Sequence, residues 1–282
     1  MGDQREMYTY LLEQELDVMD RSQMVNPLVE IASGTCSFGP MAEWQSWFNY
    51  LLPRLVPIAL QPCKLQIHEL LVTAFITQHP AGVFEPPYRG FREDALHTLG
   101  QLIMDRSKWN GGQVSLGRVL IHPPSDLRDS WGWWEVSGDL SASLFFCIKY
   151  LMVDEIEGWV RSVLAISDSH WRAQILVWLV GSDLLLGEKA AQPSDLEDRE
   201  PRVEWELSHR LAGNYTGRFD EPILLTPFIP NANKVAFRAA LRDYLTDSQL
   251  LEWRKSIEKI DYLALEALPI IDGIENVISV AP

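Results

Sequence analysis

Between positions 44 and 55 the apolar residues Trp44, Trp47, Phe48, Leu51, Leu52 and Leu55 recur at i, i+3, i+4, i+7, i+8 and i+11. Successive side chains of an α-helix are about 100° apart, so this spacing draws one stripe down one face. A strand would scatter the same residues over both of its faces. Ser37 is placed as an N-cap for this run, and Pro53 and Pro57 end or kink it.

The same period returns along the chain. It predicts helices over 64–78 (Ile67, Leu70, Leu71, Ala74, Phe75) and over 89–106 (Ala95, Leu99, Leu102, Ile103). Residues 139–152 are apolar almost all round, which marks a central helix, and 155–166 is a shorter amphipathic one. A further apolar helix starts around Trp171 and runs to Gly187, with Asp168 or Ser169 as N-cap. A short helix over 203–211 follows, then two closing helices. One carries Phe237, Ala240, Leu241, Tyr244 and Leu245; the other carries Leu250, Trp253, Ile257, Ile260 and Ala264, with Asp247 as the cap between them. Strand signals are brief: 114–121, 223–229 (broken by Pro227) and 277–281. The fold class is therefore all-α, either an irregular helical bundle or a HEAT-like α-solenoid of stacked helix pairs, with at most a short β-hairpin. No fixed repeat length accompanies that likeness, which is one of architecture alone.

Residues 188–202 depart from the pattern, with Glu188, Asp195, Glu197, Asp198, Glu200 and two prolines. This acidic stretch reads as a surface linker between a main helical domain, 1–187, and a C-terminal helical subdomain, 203–282.

Charge narrows the partners. The chain has 24 Lys and Arg against 39 Asp and Glu, a net charge of −15. Such a surface repels phosphate, and the basic residues are scattered singly or in pairs such as Arg89 and Arg92, so neither nucleic acid nor an anionic membrane is expected. A basic protein is allowed by the charge, though not demanded by it. Three cysteines, Cys36, Cys63 and Cys147, form no CxxC pair and read as buried thiols of a reducing compartment. The first residues have charges of both signs and no apolar core, and the longest apolar stretch, 175–186, is too short to span a bilayer. A cytoplasmic protein is expected.

Phosphate-cradling glycine loops, HExxH, clustered Cys and His, and GxSxG are all missing, so no cofactor or metal is expected and the reading leans away from an enzyme. The densest chemistry lies in 122–139, where His122, Asp126, Arg128, Asp129 and Glu135 accompany Trp131, Trp133 and Trp134. Tryptophan faces stack on sugars or cations and paired carboxylates supply acid and base, so these eight residues are the candidate ligand-binding set. Against that, the tryptophans could simply anchor a long loop. Asp168, Ser169 and His170 are adjacent and read as a cap rather than a triad. His79, at a helix end, is placed on the last carbonyls. Asp183 either caps a helix restart after Gly181 or pairs with Arg172. Trp44, Trp47, Trp171, Trp178 and Trp253 belong to the core, and Trp109 and Trp205 are candidate exposed anchors.

Two functions follow from this. The first is an acidic helical scaffold that binds a protein partner, in one form an inhibitor of a cationic partner as in toxin–immunity pairs. The alternative is a small-ligand or carbohydrate-processing enzyme built on the 122–139 loop.

Overall fold

A computed structural model describes residues 10–15, 18–19, 23, 27, 46–47, 49–51, 66–84, 86, 88–100, 138–187, 189–196, 198–203, 205, 208–211 and 227–279. Its helices are α1 (Tyr10–Glu13), α2 (Gln66–Gln78), α3 (Phe91–Leu99), α4 (Gly138–Tyr150), α5 (Val153–Leu164), α6 (Ser169–Leu186), α7 (Asn231–Tyr244), α8 (Asp247–Ile257), α9 (Asp261–Glu266), α10 (Leu268–Ile271) and α11 (Ile274–Ser279). Two 3-10 turns, Pro193–Leu196 and Ser208–Leu211, lie between α6 and α7. The protein is mainly α. Among the described residues there is no strand, only an isolated bridge at Val203.

The helix that is apolar on every face is indeed central: each residue from Leu140 to Leu151 is buried. α4 packs against α2, α3 and α7. Its Phe146 and Tyr150 meet Phe75 of α2 edge-on, both at 5.1 Å between ring centres, and Phe75 stacks on Phe91 of α3 at 5.7 Å. Edge-to-face geometry sets the positive ring edge against the negative face, which adds to the area buried. α6, the longest helix, lies against α8, α10 and α11, and Phe145 of α4 reaches its Trp178 at 5.0 Å. α7 pairs chiefly with α5, where Phe237 meets Trp159, and also touches α4 and α11. Among the described residues these contacts join helices separated along the chain, such as α2 with α4 and α6 with α11.

α5 shows how the amphipathic pattern is used. Ile156, Trp159, Val160, Val163 and Leu164 face inward, and Asp154, Glu155, Glu157 and Arg161 face out. α4, α5, α6 and α7 meet around an apolar void of about 10 Å³, lined by Leu144, Trp159, Ile175, Trp178, Phe237 and Leu241. It is at the lower limit for one water and offers none a partner.

Several details differ from the sequence reading. α3 begins two residues later than expected, because Gly90 takes a left-handed φ of 92° that no helix continues. The short helix over 203–211 is only the 3-10 turn Ser208–Leu211. Thr246, not Asp247, caps α8: its hydroxyl accepts the Gln249 N–H. The last expected helix breaks after Ile257, where Ile260 turns extended, and the tail read as strand-like carries α11 instead. Ile274 and Val277, one turn apart, are both buried there. Within the acidic segment Asp195, Asp198 and Glu200 point outward, while Pro193, Leu196, Pro201 and Val203 are buried.

α6 runs unbroken through Gly181-Ser182-Asp183, so Asp183 caps no restart. Nor does it pair with Arg172, which sits eleven residues and about 16 Å away along the same helix. Arg172 instead donates to the Ile166 carbonyl (2.8 Å) and to Glu252 (3.0 Å), with its guanidinium over Trp253. Trp47, Trp171, Trp178 and Trp253 are core residues as expected; Trp44 and Trp109 lie outside the described residues. Trp205 is not an exposed anchor. It is buried, stacked on Phe145, and its indole N–H donates to the Thr73 hydroxyl at 2.8 Å.

Candidate functional site

All eight residues singled out from the loop, His122, Asp126, Arg128, Asp129, Trp131, Trp133, Trp134 and Glu135, lie outside the described residues. So do Cys36, Cys63, Ser37 and the stretch 114–121. Among the described residues, polar chemistry converges on the C-terminal end of α4.

The cause is a general one. The last four carbonyls of a helix have no partner within it. Here the end is buried, so the partners must come from other helices. Asn233, in the first turn of α7, donates its side-chain amide to the carbonyls of Ile148 and Leu151, both at 2.8 Å. Arg92 of α3 donates its Nε–H to the Tyr150 carbonyl at 2.9 Å. The remaining reach of Arg92 goes outward, to Glu93 (3.0 Å) and to Glu155 of α5, whose carboxylate also accepts the Met152 N–H at 2.7 Å. Tyr150 donates its hydroxyl to the His79 carbonyl, 2.7 Å away at the end of α2. Five helices are thus tied at one point.

Three titratable groups line this node on the inside. Lys149 is buried; its ammonium donates to the Phe228 carbonyl at 2.5 Å and lies 5.1 Å and 5.7 Å from the ring centres of Phe228 and Tyr150. No carboxylate among the described residues pairs with it, and burial pulls its pKa down to about 8. His79 does not sit on its helix's carbonyls as expected. Its ring packs on Phe75 (4.9 Å) and Phe91 (5.8 Å), and burial lowers its pKa to about 4, so it is neutral at pH 7. Cys147 is fully buried, which pushes its thiol far above the usual range.

Outside the node the picture reverses. Nine large apolar side chains are exposed among the described residues, and five of them belong to the segments that meet at this helix end: Phe84, Tyr88, Met152, Val153 and Val235. Phe84 is 77% exposed and Met152 57%. The first turns of α3 and α5 supply carboxylates beside them, Glu93 and Asp94 on one and Asp154 and Glu155 on the other. Tyr88 is held edge-on to Phe91 at 5.4 Å. Partial burial, then the hydrogen bond and charge of Asp94, raise its pKa.

No nucleophile and base are brought together here: the histidine faces rings, the thiol is enclosed and the amine is bound to a carbonyl. Elsewhere, Asp168 is an N-cap as expected, accepting the Trp171 N–H at 3.0 Å. Burial opposes its charge, but hydrogen bonds from His170 and Trp171 outweigh this and lower its pKa. Among the described residues no group of His, Cys, Asp and Glu could hold a metal ion, and no helix is long and apolar enough to cross a membrane.

No protein-family model matches the chain, and neither a curated protein nor a solved structure does.

Sequence reasoning missed Phe84, Tyr88, Met152 and Lys149. One signal was available: Phe84 and Tyr88 flank two prolines between two helices, where an aromatic side chain has no helical face to join.

Proposed function

We propose that this chain binds a basic protein partner through the surface around the end of α4, acting in the cytoplasm in the manner of an inhibitor or immunity protein. One observation carries the reading: the segments tied together at one helix junction carry exposed aromatic and aliphatic side chains and, in the first turns of α3 and α5, carboxylates. Single exposed apolar residues are ordinary, but a concentration of them with a polar rim is how interaction surfaces are built. Aromatic anchors would set affinity, and the net charge of −15 would steer a cationic partner to the encounter.

Affinity capture from a lysate of the source cells tests this, at about 0.05 M and about 0.3 M salt. The wild-type chain retains a protein of high pI at the lower salt and less of it at the higher. Phe84→Ser with Met152→Ser loses it, whereas Leu265→Ser, which alters an equally exposed side chain far along the sequence, does not. Equal capture by the two variants would remove the surface from the account.

A further inference from the structure

Within that surface, and resting on the reading of a basic partner, we propose that Tyr88 is a pre-set receptor for an arginine side chain of the partner. Three features of the ring point there. Its ring makes a T-shaped contact with Phe91 at 5.4 Å, with the planes 79° apart. The residue is nevertheless 46% exposed, so ring surface faces water while the side chain has little freedom left to lose. Finally, Asp94 stands exposed in the adjoining first turn of α3, next to Glu93, which pairs with Arg92, so a cation over the ring finds the Asp94 carboxylate within the same turn.

A guanidinium fits this better than an ammonium. It is planar, stacks on an aromatic face and keeps its N–H donors in plane for carboxylates, while an ammonium is a strongly hydrated point charge. The protein already uses this pairing internally: the guanidinium of Arg172 lies 5.3 Å from the Trp253 ring centre while bonded to Glu252. A second copy of the chain is a poor occupant. A two-fold contact through this face would set Glu93, Asp94, Asp154 and Glu155 of one copy against the same four of the other. The occupant is therefore an arginine-bearing segment of a different, basic protein.

Titration calorimetry of the full chain with hexaarginine, hexalysine and free L-arginine tests the proposal, all at one ionic strength and at matched cation concentration. Hexaarginine is expected to bind about fivefold more tightly than hexalysine, and free L-arginine far more weakly than either. Tyr88→Leu should equalise the two peptides, and Tyr88→Phe, which keeps the ring, should restore most of the difference. Circular dichroism confirms that each variant is folded. Equal affinities in the wild-type chain, or a preference that persists in Tyr88→Leu, would overturn the arginine receptor and leave the basic-partner reading standing. Free L-arginine binding as tightly as hexaarginine would make the site one for a small molecule and overturn the proposal. Binding of neither peptide would bring down both.

Discussion

Lys149 occupies a position where its charge is costly to the fold. A lysine enclosed by Phe228, Tyr150 and a single carbonyl has exchanged its hydration for one strong hydrogen bond and two ring faces. The consequence has a definite sign. Its pKa is about 8 in the folded chain against 10.5 when free, so between those values the unfolded chain holds the extra proton. Stability attributable to this group therefore rises with pH through that window and is lowest below it. Urea denaturation of the wild-type chain and of Lys149→Met, from neutral pH to about pH 10.5, measures this. The wild type should gain on the variant by about 2–3 kcal/mol across the window. A difference that stays flat would mean that the amine is not enclosed as described. A lone lysine in an apolar run gives no such indication in sequence, because long side chains on helices ordinarily snorkel to water. Only the meeting of α4 with the 227–230 segment closes that route.

Among the elements, α6 carries the sharpest conflict between local preference and packing. Glycine within a helix is worse than alanine by about 1 kcal/mol, so Gly181→Ala should stabilise α6 taken alone. In the folded chain a Cβ at that position would lie 2.7 Å from the Pro201 carbonyl oxygen and 2.7 Å from Val203 Cγ2. A backbone oxygen cannot step aside as a flexible side-chain end can. Gly181→Ala should thus destabilise the protein by about 1–3 kcal/mol in urea melts, and a stabilised variant would show that the 201–203 strap does not cross α6 there. That strap also explains what was legible in the sequence and what was not. Periodicity located α2 and α4 to α6 to within a few residues, because each buries a face or the whole of itself. It misjudged 203–211, where Val203 and Trp205 are buried by crossing α6 and by reaching Thr73, not by sharing a helical face. It also ran past Ile257, since a buried residue such as Leu263 or Ala267 continues an apolar pattern whether or not the backbone bends between them.

For the molecule as a whole, burial and exposure are arranged about one axis. α4 is enclosed along its length, and its C-terminal end is where α2, α3, α5 and α7 are tied together by Asn233, Arg92 and Tyr150. Five of the nine large apolar side chains exposed among the described residues belong to the segments that meet there. The all-α class and the central place of α4 were readable from the sequence, since both follow from apolar spacing. The surface was not, because its members come from a proline-containing loop and from three separate helix starts that only the tertiary fold brings to one end. Hydrogen exchange with and without bound hexaarginine tests both halves of this arrangement at once. Amides of 140–151 should exchange most slowly in the free chain, and the peptide should add protection at 82–94 and 152–157 while leaving α8 to α10 unchanged. Rapid exchange along α4, or new protection confined to the C-terminal helices, would contradict it.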